Sequence, residues 1–84
     1  MPATPGDAPI LYTQSGCADS ARVRLWLRER NVSFIERNVT DDPTAAQDLI
    51  ATGTFATPLL VAGEHRILGF RPAQLAAALG IEPS

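Results

Sequence analysis

Pro9-Ile10-Leu11-Tyr12-Thr13 is a short apolar run that ends at Gln14-Ser15-Gly16, the pattern of a buried strand entering a turn. From Cys17 the period changes. Val23, Trp26, Leu27 and Arg30 recur at helical spacing, which puts Arg22, Arg24, Arg28 and Glu29 on the wet face. Asn31 ends this helix, and the charges of Arg28 and Arg30 suit its negative end. Ser33 to Val39 is rich in β-formers and predicts a second strand. Thr40-Asp41-Asp42-Pro43 is a helix start, an acidic cap followed by proline at the first helical position. Ala46, Leu49 and Ile50 supply that helix's buried stripe and Gly53 its stop. Pro58 opens a third strand, Leu59-Leu60-Val61-Ala62, and Gly63-Glu64 turns the chain into a fourth, His65-Arg66-Ile67-Leu68, as a hairpin. Gly69-Phe70-Arg71-Pro72 leads into a last helix carrying Leu75, Ala78 and Leu79 and stopped by Gly80.

The order β-α-β-α-β-β-α specifies an α/β domain with a four-stranded mixed sheet. A right-handed first crossover makes strands one and two parallel. Residues 1–8, with Pro2, Pro5, Gly6 and Asp7 and no apolar periodicity, are expected to form a flexible tail. Residues 9–84 form one domain, near the small end of what a single core supports. Hydrophobic residues at 45% and charged residues at 19% suit a globular chain rather than a disordered one. A lone cysteine cannot staple the fold and points to a reducing compartment, so a cytoplasmic location is expected. The net charge of -2 gives no basic footprint for nucleic acid. Neither a leader nor a membrane span is expected, since no long apolar run is present.

The candidate chemistry centres on Cys17. A thiol at the start of a helix sits among backbone N–H groups without partners, at the positive end of the dipole. That favours the thiolate, which is the nucleophilic form. Asp19 opposes it, and Arg22 and Arg24 can offset Asp19. The bland alternative is a small buried hydrophobe, against which the strand-to-helix turn argues exposure. Ala56-Thr57-Pro58 is the second feature. A proline opening a strand can be cis, in which case Thr57 offers its backbone edge to an extended peptide or peptide-like thiol; the other reading is a trans proline that only marks a strand start. Trp26 reads as core. His65 beside a hairpin turn has no companion ligands, so no metal site is expected. Phe70 either packs under the last helix or lines the groove beside Cys17, with the groove favoured. Ser15 is the candidate cap of the first helix.

The run Leu11-Tyr12-Thr13-Gln14-Ser15-Gly16-Cys17-Ala18-Asp19-Ser20 resembles the active-site strand and loop of glutaredoxins, whose motif is Cys-x-x-Cys or Cys-x-x-Ser. Gly53 through Pro58 has the spacing of the family's Gly-to-cis-Pro segment. Gly63-Glu64-His65 and Gly69-Phe70-Arg71-Pro72 look like those of NrdH-redoxins, the glutaredoxin-like donors for ribonucleotide reductase. The likeness spans roughly residues 9 to 80. It implies a thioredoxin-like fold with Pro58 cis, Cys17 attacking disulfides, Thr57 holding the substrate backbone, and Gly69 and Phe70 shaping the far side of the groove.

Three positions depart from the pattern. Gln14 stands where glutaredoxins usually have a lysine that pairs with a glutathione carboxylate. The Asp pair that grips the glutamyl end has no counterpart around Arg71-Pro72-Ala73. Ser20 replaces the resolving cysteine that the NrdH type requires; it can hydrogen-bond the Cys17 thiolate but not resolve it. Ala18-Asp19 also separates the chain from the cluster-holding Cys-Gly-Phe-Ser type. Cys17 through Leu25 further resembles the first domain of glutathione transferases, although a transferase is not expected without a helical second domain.

The resemblance therefore implies a glutaredoxin-like thiol–disulfide oxidoreductase, active in cell redox homeostasis and electron transport through a single cysteine. It would act on mixed disulfides between proteins and a low-molecular-weight thiol. No tightly bound cofactor is implied; glutathione or an analogous small thiol is the cosubstrate. The expected partners are that thiol and disulfide-bearing proteins, with no nucleic acid and no membrane, and the expected state is a monomer. The alternative is a thioredoxin-fold binding module or redox sensor that has lost turnover.

Overall fold

The apolar run at Ile10–Thr13 does not alternate because both of its faces are covered. In the computed structural model, which describes residues 8–82, this run is the inner strand β1 of a four-stranded sheet. The segment read as a tail lies outside the described residues except for Ala8. After β1 come α1 (Ala18–Glu29), β2 (Ile35–Asn38), α2 (Pro43–Ala51), β3 (Leu59–Ala62), β4 (His65–Leu68) and α3 (Pro72–Leu79), the predicted order. The sheet runs β2-β1-β3-β4, with β1 parallel to β2 and antiparallel to β3, and β3 antiparallel to β4. This is the thioredoxin-like α/β architecture.

Register puts alternate residues of one strand against different helices. Leu11 lies opposite Leu60, and Leu60 opposite Ile67. This row meets Val23, Trp26 and Leu27 of α1 and Leu75 and Ala76 of α3 in the larger core. One residue along, Tyr12 faces Leu59, and this pair packs with Leu49 of α2 on the opposite side. Period-2 geometry thus turns a continuous apolar run into two cores.

The α1 stripe is the predicted one, but Arg24 on its supposed wet face is half-buried, drawn in by an ion pair to Glu36 of β2 at 2.7 Å. In α2 the buried pair is Ala45 and Leu49; Ala46 is half-buried and Ile50 is 61% exposed. Neighbours on a helix point about 100° apart, so the turn that buries Leu49 against Tyr12 and Leu59 leaves Ile50 facing outward. Likewise α3 buries Leu75 and Ala76, while Ala78 and Leu79 are half-buried at the rim of the first core. Helix starts and stops follow the local chemistry. The Asp42 side chain accepts the Thr44 N–H at 3.0 Å with Pro43 in the first turn, and Gly80 closes α3 at φ +70°. Among the described residues no helix is long and apolar enough to cross a membrane.

Candidate active site

At the end of β1 the chain must turn sharply to start α1. Gly16 takes φ +78°, a left-handed conformation glycine adopts without penalty, and the Cys17 N–H closes the turn onto the Gln14 carbonyl at 3.2 Å. The loop is fastened to the end of the parallel neighbour strand. Thr40 Oγ1 accepts the Ser15 N–H at 3.0 Å, Asn38 Nδ2 donates to Ser15 Oγ at 3.1 Å, and Asn38 Oδ1 accepts the Thr40 N–H at 2.8 Å. Ser15 is therefore an anchor and not the cap of α1. Its hydroxyl is engaged by Asn38, and it lies two residues before the capping position.

The cap is Cys17 itself. With extended backbone angles of -89° and 113°, it places Sγ to accept the Ser20 N–H at 3.4 Å. Ser20 is fully buried beneath it. The Ser20 hydroxyl accepts the Gln14 N–H at 3.3 Å, which leaves its own proton for the sulfur. On the other side the Thr57 carbonyl stands 4.0 Å from Sγ. The Ser20 hydroxyl and then the Ser20 N–H hold the Cys17 thiol below its ordinary value; burial pushes against them, and contacts with Thr57 and the Asp19 backbone add to the lowering. Asp19, the opposing charge in the first turn, is engaged by Arg22 at 3.6 Å. The Arg22 guanidinium in turn lies 4.5 Å over the Phe70 ring.

The structure places the remaining candidate residues as follows. The Thr57–Pro58 bond is cis. The Thr57 hydroxyl donates to the Gln14 side-chain carbonyl at 3.3 Å, so Gln14 and Thr57 meet at the rim beside Cys17. The Gly69 N–H donates to the Pro58 carbonyl at 2.8 Å, joining the segment after β4 to the one before β3. Phe70 is half-buried against the larger core and covered by Arg22. It thus packs toward the core, the reading the sequence favoured less. His65 is exposed, and among the described residues no group of three or more His, Cys, Asp or Glu could hold a metal ion.

A cleft of about 490 Å³ opens at Cys17, lined by loop residues 14–16, by Ala18, Ala21 and Arg24 along α1, and by Asn38 of β2. Sequence reading did not assign Asn38, Thr40 or Glu36 to this neighbourhood. The available signal was topological: a parallel neighbour of β1 must end beside the loop that follows β1. A cavity of about 560 Å³ lies at the other end of the sheet, between Pro9, the Gly63–His65 turn and the end of α3.

The geometry sets the Cys17 thiol, held below its ordinary pKa, beside the Thr57 carbonyl. The family model for glutaredoxins matches residues 10–67. The glutaredoxin-like protein NrdH of Lactococcus lactis subsp. cremoris is 30% identical over 66 residues, covering 79% of this chain and 92% of that protein. A variant of the thioredoxin-like protein BC3987 superposes with a TM-score of 0.84 at 28% identity, over 88% of this chain and 96% of the other. The glutaredoxin-like NrdH-redoxin from Escherichia coli gives 0.73 at 27% identity, over 92% and 97%. A family match over more than half the chain, with the fold shared across nearly all of it, has one meaning: the chain belongs to the glutaredoxin family of thiol–disulfide redox proteins.

Proposed function

We propose that the protein is a monothiol oxidoreductase that exchanges disulfides between proteins and a low-molecular-weight thiol through Cys17. The observation that carries this reading is the Ser20 N–H 3.4 Å from Sγ, above a buried serine where a second thiol would stand. The Cys17 thiolate attacks a mixed disulfide, the leaving thiolate departs, and a second small thiol resolves the enzyme adduct. Ser20 stabilises the thiolate. Gln14, Thr57 and Pro58 form the edge along which substrate lies, and Gly69 and Phe70 support that edge from behind. Glutathione or an analogous thiol serves as cosubstrate, protein disulfides as the other partner, and the reducing cytoplasm as the setting, where the reaction contributes to redox homeostasis.

The experiment is titration of Cys17 by pH-dependent alkylation, followed by incubation with glutathione disulfide and intact-mass measurement. The expected result is a thiolate forming below the range of free cysteine and a single mixed-disulfide adduct. A thiol that titrates at or above about 8.5 and takes up no small disulfide would leave a binding module in place of an enzyme.

A further inference from the structure

Among the described residues five large apolar side chains stand exposed, and three of them, Ile50, Phe55 and Leu68, gather at one corner. On α2, Asp48 reaches Arg37 of β2, while Leu49 packs on Tyr12 and Leu59. With about 100° between successive residues, Ile50 faces the opposite way from Asp48, toward β4. The last turn of α2 lies on that side, since Arg66 of β4 donates to the Thr52 carbonyl at 3.1 Å. Leu68 is the cross-strand partner of Leu59 and so shares the α2 face of the sheet, on its edge strand. Phe55 belongs to the loop joining α2 to β3 and is 84% exposed. The Thr54 hydroxyl accepts the Ala56 N–H at 3.1 Å, a tight turn with Phe55 at its apex. Two residues on comes Thr57, whose carbonyl stands 4.0 Å from the Cys17 sulfur.

Two cations flank Leu68. Arg66 is tethered to the Thr52 carbonyl, and Arg71 Nε donates to the carbonyl of Leu68 itself at 3.3 Å. Both side chains are exposed, and among the described residues neither meets a carboxylate. Asp48 of α2 is engaged by Arg37 on the other side of the helix. A chain of net charge -2 thus keeps two uncompensated cations beside its apolar corner. A standard stable interface buries roughly 800 Å² a side, whereas even a whole phenylalanine contributes at most about 250 Å². Three side chains, two of them aliphatic, suit a transient protein partner and not a permanent second copy.

We propose that this corner selects the protein half of the mixed disulfide, taking a segment with an apolar side chain that packs on Phe55 and acidic side chains that pair with Arg66 and Arg71. This rests on the function proposed above. An extended segment lying along Thr57 advances about 3.3 Å per residue, so its residue about two positions from the disulfide cysteine comes level with Phe55. Ile50 and Leu68 widen the apolar contact away from Cys17. The two guanidinium groups reward acidic residues further along the segment and repel basic ones. Selection therefore acts on the sequence around the client's cysteine and leaves the chemistry at the Cys17 sulfur unaltered.

The test uses synthetic peptides whose single cysteine is held as a mixed disulfide with mercaptoethanol. The Cys17 thiolate attacks the mercaptoethanol sulfur and bonds to it, and the peptide leaves as a thiolate that takes a proton from water. Mass spectrometry follows its release. One peptide carries leucines two residues to either side of the cysteine and aspartates beyond them; two others replace the leucines with serine or the aspartates with asparagine. Each rate is divided by that of the same peptide with dithiothreitol, which removes intrinsic reactivity. The leucine peptide is expected to exceed the serine peptide by about 3- to 10-fold, the range of an aromatic contact. The aspartate peptide should exceed the asparagine one by about threefold at low salt, a gain that fades at high salt. In F55A the leucine-to-serine ratio falls to about one and the aspartate preference persists; in R66Q/R71Q the reverse holds. A wild-type protein indifferent to the leucines or to the aspartates overturns the inference while the proposed function stands, as does an F55A as selective as wild type. So does a dimer in sedimentation velocity that F55A disperses, since the corner then belongs to a second copy. Failure of Cys17 to react with hydroxyethyl disulfide overturns the function itself.

Discussion

Replacing Ser20 with alanine removes the hydroxyl buried under the Cys17 sulfur and keeps the backbone N–H. The hydroxyl is the leading cause of the lowered thiol pKa. A hydrogen bond to an ionised group is worth about 1.5–3 kcal/mol, and each ~1.4 kcal/mol is a tenfold change in thiolate population below the titration midpoint. Because Cys17 is partly open to solvent, water recovers some of that loss, and the lower end applies. S20A should thus have about one-tenth of the wild-type thiolate at neutral pH, by that same conversion. A more basic thiolate is also a better nucleophile, with a Brønsted slope of about 0.4–0.5, so each one reacts about threefold faster. Exchange with an uncharged disulfide such as hydroxyethyl disulfide, followed across pH, should therefore run about threefold slower in S20A at neutral pH. At high pH, where both proteins are fully ionised, it should run about threefold faster. The two profiles cross. A profile that superimposes on the wild type would refute the role of the hydroxyl, and a uniform drop at every pH would show that it acts on shape and not on charge. S20A also frees the Gln14 N–H, a cost of about 1 kcal/mol that thermal melting checks separately.

S20C places a second thiol beside the first. It should close an intramolecular disulfide on mild oxidation, read as the loss of two hydrogens by intact mass and of both free thiols. N38A unfastens the loop before Cys17. A loss of about 1 kcal/mol should lower Tm by about 4–8 °C and speed hydrogen exchange at the Ser15 amide. L60A empties the centre of the larger core, where Leu60 is fully buried, and should cost about 3–5 kcal/mol by denaturant unfolding. I50A, at a position the sequence pattern had placed in the core, should change stability by no more than about 0.5 kcal/mol. Glu36 is held below the usual carboxylate range by Arg24, with help from Thr13 and against burial. Its contribution is therefore complete above the ordinary carboxylate pKa and is lost as pH falls through the lowered value. The Tm difference between wild type and E36Q should narrow from about pH 6 to about pH 3.

Most of the fold was legible because its signals are local. Asp42-Pro43, Gly80 and the Gly63-Glu64 turn each carry their own chemistry, and the structure uses each where expected. The errors came where a neighbour decides. Leu49 and Ile50 are both strongly apolar, and only the position of α2 over Tyr12 and Leu59 selects Leu49. Arg24 looked like surface because nothing in α1 reveals that Glu36 waits on β2. The site divides in the same way. A thiol at a strand-to-helix turn is readable from consecutive residues. The Ser15–Asn38–Thr40 fastening is not, since it depends on the ends of parallel strands meeting across 25 residues of chain.

Because the Cys17 sulfur caps α1, the exchange proposed for it and the stability of the helix share one atom. An anionic sulfur accepts the Ser20 N–H well, whereas a sulfur bound in an adduct accepts it poorly, so occupation of Cys17 loosens the first turn of the helix. The coupling is reciprocal. In the proposed cycle, whatever tightens that turn favours release of the adduct, and α1 works like a latch that sets when the thiolate is free.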